Sequence, residues 1–213
     1  MYSRTMKKSF TNHPNCHSGS RLDEFAARLF DFKKGGTYVD LGSAHSMYHN
    51  NSHFLDIHLD WSGICVEMDP KWNGTYGDRK HCTYINADAT KVDYKQVFID
   101  KGFSPSIDYL SLDVDVLDLE VAKALPLNDF RFKVIGIEHD HYQHGDLYRA
   151  PQREFLTGVG YALVCSDVYV RHPDFENCSF EDWYLDPTYF SAEIIEKLTI
   201  NGCYSEDIID KLL

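Results

Sequence analysis

The 213-residue chain predicts an α/β domain: a doubly wound, mostly parallel sheet of seven strands whose last strand runs antiparallel. Three observations lead there. Short, nearly continuous apolar runs, each ending on a polar or acidic residue, alternate with stretches of helical periodicity, as parallel strands covered on both faces require. Two runs near the C-terminus, 161–170 and 180–185, lie too close in sequence for a helical crossover and so pair antiparallel. No repeat, linker or low-complexity tract divides the chain, so residues 1–213 form one domain.

The elements follow in order. Residues 1–20 form a loose polar arm. A helix comes next: Ser20 and Asp23 have the spacing of a capping box, and Leu22, Phe25, Ala26, Leu29 and Phe30 recur at helical intervals. Gly35 and Gly36 break it. The strands are then 37–41, 64–67, 82–86, 107–112, 133–138, 161–170 and 180–185, with helical patterns at Phe54–Leu59, Val92–Ile99 and Leu117–Leu125. Residues 191–213 add one or two short helices, Ala192–Leu198 the clearest.

Composition narrows the function. Acidic residues outnumber basic ones 33 to 21, a net charge of −12, which argues against a surface that wraps phosphate backbones. No apolar stretch reaches the roughly 18 residues of a membrane span, and residues 1–20 lack the apolar run of a secretory signal. A cytoplasmic chain is expected. Its six cysteines show no paired metal spacing and read as free thiols packed as small hydrophobes.

In a doubly wound sheet the ligand binds at the carboxyl ends of the strands. Asp40, Glu67, Asp88, Asp113 and Glu138 all fall at or just after predicted strand ends, which sets five acids along one rim. Val39-Asp-Leu-Gly-Ser-Ala44 runs a strand into a glycine turn, and Glu67 closes the next strand, 25 residues after Gly42. Such a pair suits a nucleoside: the glycine permits close backbone approach and the acid accepts both ribose hydroxyls. No further glycine follows Gly42 to seat a pyrophosphate, so a ligand without phosphates fits better. S-adenosylmethionine is the cofactor expected.

Several stretches resemble the FkbM family of S-adenosylmethionine-dependent methyltransferases. They are Thr37-Tyr-Val-Asp-Leu-Gly-Ser43, Asn51-Ser-His-Phe-Leu55, Trp61-Ser-Gly-Ile-Cys-Val-Glu67, Ile107-Asp-Tyr-Leu-Ser-Leu-Asp-Val-Asp115, Phe132-Lys-Val-Ile-Gly-Ile-Glu-His139 and Phe180-Glu-Asp-Trp-Tyr184, in the family's order. The resemblance implies a class I, Rossmann-like methyltransferase fold. It also implies that Asp40, Gly42, Ser43, Asn51 and Met68 surround the cofactor, that Glu67 holds the ribose and Asp88 the adenine amine, and that Asp113 faces the methionine amino group or the substrate. The chain departs from the family at His45 and Ser46, where an acid and a glycine are usual, and at Asp115 and Val116.

Methyl transfer to a hydroxyl needs in-line approach and a proton acceptor. Glu138-His-Asp-His-Tyr-Gln-His144 supplies candidates: His139 is the preferred base, with Glu138 and Asp113 beside it. Asp113, His139, Asp140 and His141 also have the donor types of a divalent-metal site, a secondary expectation. The expected activity is O-methylation of a sugar, glycan or small molecule, with no nucleic-acid or membrane partner and with a homo-oligomer compatible. The alternative is a methyltransferase-like binding module with an altered cofactor loop and little turnover. Trp61 reads as core and Trp183 as either core or a sugar platform; Arg149, Arg153, Arg171 and His172 read as solvated surface.

Overall fold

The computed structural model describes residues 17–212 apart from 172–173 and 175–176. Most of the expected N-terminal arm, with Cys16 and His172, lies outside those residues. Eight strands form one sheet: β1 (Thr37–Leu41), β2 (Ser62–Glu67), β3 (Cys82–Asn86), β4 (Ser106–Leu112), β5 (Arg131–Glu138), β6 (Ala162–Val170), β7 (Cys178–Leu185) and β8 (Ile200–Tyr204). Their spatial order is β3-β2-β1-β4-β5-β7-β6-β8. β7 runs antiparallel to both its neighbours, β5 and β6, and the other pairings are parallel. The expected seven-stranded arrangement is therefore present, with an eighth strand added at its edge.

That strand, Ile-Asn-Gly-Cys-Tyr204, carries an Asn-Gly pair that reads as a turn, and the edge of the sheet demands no apolar run. What makes it a strand is tertiary: it pairs with β6 from Cys165↔Ile200 to Tyr169↔Tyr204. Gly202 has φ +62° and leaves room for the Tyr169 ring, whose hydroxyl would lie 2.5 Å from an added Cβ.

The helices are α1 (Leu22–Leu29), α2 (His53–Leu59), α3 (Tyr94–Asp100), α4 (Asp118–Ala124), α5 (His141–His144), α6 (Asp146–Gly158), α7 (Ala192–Leu198) and α8 (Ser205–Asp210). Alternation along the strands feeds two core layers. Tyr38, Cys65, Val134 and Trp183 face one layer, with Leu22, Phe25 and Phe54 of α1 and α2. Val39, Ile64, Ile135 and Tyr184 face the other, with Phe98, Val121 and Leu156 of α3, α4 and α6.

Two local expectations change. The N-cap of α1 is Arg21, at φ +60° and with no side-chain capping bond, so the Ser20–Asp23 capping box does not form. α6 carries no obvious sequence signal because Gly145 precedes it and Pro151 interrupts its ladder. Trp61 and Trp183 are both fully buried, which settles the latter as core, and five cysteines among the described residues are free.

Candidate functional site

The carboxyl ends of β1, β2 and β4 open onto a cavity of about 290 Å³. Gly42 closes β1 with φ +79°, and an added Cβ would stand 1.6 Å from the Asp113 carbonyl oxygen. Its main demand is thus the close approach of two strand ends, β1 and β4. The Gly42 amide donates to the Val66 carbonyl (2.9 Å), and the Asp113 amide donates to the Leu41 carbonyl (2.9 Å). These bonds hold the three strand ends in one rim.

Glu67, the last residue of β2, lies on that rim. Its Oε2 accepts from the Ala44 amide (2.9 Å) and its Oε1 from the Asp69 amide (2.7 Å). Each oxygen keeps a lone pair for a further donor. Asp88 turns one oxygen to the Thr90 amide and hydroxyl (2.9 and 2.7 Å), and the Thr90 hydroxyl and amide hold its carboxyl below the usual range. Val66, Ala87, Ala89, Leu117 and Val121 form an apolar slot between them.

Of the cofactor residues expected from sequence, Gly42, Glu67, Met68, Asp88 and Asp113 line this cavity. Asp40, Ser43 and Asn51 do not; they belong to the frame behind it. Asp40 is buried and accepts from the Ser52 hydroxyl (2.6 Å), and burial raises its carboxyl to about 6. Ser43 receives the Tyr76 hydroxyl (2.7 Å), while Asn51 bridges the hydroxyls of Ser18 (2.6 Å) and Ser111 (2.9 Å). The buried Arg79 guanidinium ties the same loop down, donating to Asp56 (2.7 Å), the Ser46 carbonyl (2.9 Å), Asn50 (3.0 Å) and Ser52 (3.0 Å). His45 and Ser46, the departures from the family pattern, are part of this anchored loop and stay out of the cavity wall. Sequence reading missed Tyr76 and Arg79, since nothing in their local context marks them as clamps on a loop 30 residues away.

The strand ends of β4 and β5 bring Asp113 and Glu138 into hydrogen-bond contact. Burial, and then the neighbouring Asp113 carboxyl, push Glu138 well above the carboxylate range; burial also raises Asp113, against the hydrogen bond from Glu138. Two carboxyls this close cannot both ionise freely, so the pair shares a proton. Asp118, at the start of α4, is also raised by burial and accepts from the Val114 amide (2.8 Å), fixing the turn after β4.

His139 does not fill the role expected of it. Its Nδ1 accepts from the His141 amide (3.2 Å) and its Nε2 faces Asp182 Oδ1 (3.3 Å), with the side chain wholly buried. Both nitrogens are engaged, leaving none to take a proton from an acceptor. The reason lies in α6: Arg153 donates to both oxygens of Asp182 (2.7 and 2.8 Å), and Arg149 and Arg153 also pair with Asp167. Burial alone would raise Asp182, but Arg153 and His139 outweigh it and bring the carboxyl down to about 2. Arg149 and Arg153 are thus structural ion-pair partners rather than solvated surface.

The same network bears on metal binding. His139, Asp167 and Asp182 are the one set of donors among the described residues whose ligand atoms converge. Two guanidinium groups already supply the positive charge a metal ion would bring there. The set expected from sequence, Asp113, His139, Asp140 and His141, does not converge, because His139 is turned toward Asp182.

No protein-family model and no curated protein sequence matches this chain. Solved structures do. Fibrillarin from Aeropyrum pernix, in complex with S-adenosyl-L-methionine, is 16% identical over 76% of this chain and 74% of its own, with a TM-score of 0.50. A candidate rRNA-methylase from Clostridium thermocellum is 13% identical over 78% and 95%, with a TM-score of 0.51. A candidate O-methyltransferase from Klebsiella pneumoniae is 11% identical over 85% and 87%, also at 0.51. At these identities the likeness is one of fold. The chain has the Rossmann-like fold of the class I methyltransferases.

Proposed function

We propose that the chain is an S-adenosylmethionine-dependent methyltransferase that methylates a hydroxyl of a sugar, glycan or small molecule. The observation that carries this reading is the charge of the cavity. Glu67, Asp88, Asp113 and Asp115 line it and no lysine or arginine does. A phosphate-bearing cofactor would meet four carboxylates there, whereas S-adenosylmethionine has a sulfonium and an ammonium group and no phosphate. The FkbM-like order of motifs and the fold of the structural neighbours support the same cofactor.

In this reading Glu67 holds the ribose hydroxyls and Asp88 the adenine amine, with the ring in the slot of Val66, Ala89 and Leu117. Asp113 and the turn after Gly42 receive the methionine end. The bound cofactor supplies an electrophilic methyl carbon. The protein's part is to orient an acceptor hydroxyl in line with it and to take that hydroxyl's proton on the ionised carboxyl of the Asp113–Glu138 pair. The net charge of −12 and the acidic cavities support an acceptor other than a nucleic acid.

Calorimetry with S-adenosylhomocysteine tests the cofactor, followed by methyl-transfer assays over a panel of glycans. Binding that weakens at least about tenfold in Glu67→Gln is expected, from the loss of a charged acceptor. No binding at millimolar ligand, or equal binding by the variant, overturns the assignment. Binding without transfer across the panel would favour the non-catalytic module.

A further inference from the structure

The loop after β1 rests on one neighbour, the 3₁₀ helix Pro70–Asp78 that joins β2 to β3. The His45 ring meets the Trp72 ring edge-on, 5.5 Å between centroids. Ser46 makes two hydrogen bonds to Thr75: its amide donates to the Thr75 hydroxyl (3.1 Å) and its hydroxyl to the Thr75 carbonyl (2.5 Å). Tyr76 completes the contact, with its hydroxyl in reach of Ser43 Oγ (2.7 Å), the Ala44 carbonyl (3.1 Å) and the Ser43 carbonyl (3.2 Å). We propose that Tyr76 is a positioning residue for cofactor binding, acting through Ala44 on the Glu67 carboxylate. The proposal rests on the S-adenosylmethionine reading and adds to it a residue that lies outside the cavity wall.

Ala44 is the link. It lines the cavity, and its backbone stands at φ +44°, in the left-handed region that alanine enters only at a cost. Such a residue leaves that state unless its surroundings hold it there. Here both of its peptide groups are held. The carbonyl faces the Tyr76 hydroxyl, and the amide donates to Glu67 Oε2 (2.9 Å). If the Ala44 backbone relaxed, its amide would leave Glu67. The carboxylate would then keep only the Asp69 amide, on Oε1 (2.7 Å), and would no longer be fixed at both oxygens. A ligand bound by Glu67 would have to order that side chain as it bound, which lowers affinity.

Tyr76 is itself well placed to hold the turn. Its side chain is buried, and its ring stacks on Tyr84 of β3 with 4.1 Å between centroids. The sheet edge therefore fixes the ring, the ring fixes the hydroxyl, and the hydroxyl fixes the turn against which Glu67 is aimed.

The test is calorimetric titration of the full chain with S-adenosylhomocysteine. Tyr76→Phe keeps the stacked ring and removes one hydroxyl. It should melt near the wild-type temperature and bind about fivefold or more weakly. In a Glu67→Ala chain the same substitution should cost no more than about twofold further, because the carboxylate it positions is gone. A merely structural hydroxyl would give independent, additive losses. Ala44→Gly removes the cost of left-handed backbone, so adding it to Tyr76→Phe should recover most of the lost affinity. Equal binding by Tyr76→Phe, unfolding of that variant, additive losses with Glu67→Ala, or no recovery with Ala44→Gly each overturns the proposal and leaves the cofactor reading in place. A wild-type chain that does not bind S-adenosylhomocysteine overturns the cofactor reading, and the positioning role with it.

Discussion

Asp23 offers a sharp test of the physics beneath the site. It lies in the first turn of α1, wholly buried; Oδ1 accepts from the Glu24 amide (2.8 Å) and Oδ2 has no partner. Burial, opposed by the Glu24 amide and reinforced by the Glu24 carboxylate, raises its carboxyl from 3.8 to about 8. The folded chain therefore keeps this proton up to about pH 8, whereas the unfolded chain releases it near pH 4. Between those values the folded state binds the extra proton, so stability falls as pH rises. At about 1.4 kcal/mol for each pH unit of that window, ionisation costs the fold on the order of 5 kcal/mol once pH exceeds 8. Asn keeps the Oδ1 acceptor and removes the ionisation. Asp23→Asn should match the wild type to within about 1–2 kcal/mol at pH 5 and exceed its stability by several kcal/mol at pH 9. Urea denaturation followed by tryptophan fluorescence at pH 5, 7 and 9 measures both. Glu181, raised by burial to about 7, titrates in the same window but is common to both proteins and cancels in the difference. Parallel pH profiles for the two chains would refute the reasoning.

Three other outcomes are expected. Gly42→Ala places a Cβ on the Asp113 carbonyl in left-handed backbone, so it should lose several kcal/mol and S-adenosylhomocysteine binding together; a stable variant that binds normally would show that the β1–β4 approach is dispensable. Arg153→Met leaves Asp182 buried beside Asp167 with one cation fewer, at a cost of about 3–5 kcal/mol in urea denaturation at pH 7. Without Arg153 burial raises the Asp182 carboxyl, so the variant takes up a proton there at a higher pH than the wild type, whose carboxyl titrates near 2. The deficit should therefore shrink steadily as pH falls below neutrality, and a deficit independent of pH would contradict the pairing. Asp113→Asn, which removes the carboxyl that stays ionised beside the protonated Glu138, should lower kcat by roughly 100-fold or more, measured once an acceptor is in hand. An unchanged kcat would remove the carboxyl pair from the chemistry.

The strands were legible because parallel strands buried on both faces must be largely apolar, as in Val134–Ile137 and, with Asp108 and Ser111 interrupting, Ile107–Leu112. The rim acids Glu67, Asp88 and Asp113 were legible for a related reason: a polar residue that ends an apolar run has to sit where the strand leaves the core. β8 and α6 were not, since Asn201-Gly202 and Pro151 oppose the states they adopt and tertiary packing overrides them. His139 shows the limit at the site. Local sequence places it at a strand mouth, but whether its nitrogens are free depends on Asp182, 43 residues away, and on Arg153 from a helix with no sequence signal.

The sequence by itself determined the layered sheet, the antiparallel closing strand and the line of carboxylates at its rim, because periodicity and strand-end polarity are local properties read one segment at a time. Tertiary structure decided which of those carboxylates meet. It paired Asp113 with Glu138, withdrew Asp40 behind Ser52 and tied His139 to Asp182, since hydrogen bonds between strands depend on register and on helices that arrive from elsewhere in the chain. It also brought Asp115, Glu138 and Asp140 to the wall of one cavity with His139 and His144, residues of two strand ends that sequence alone does not place together.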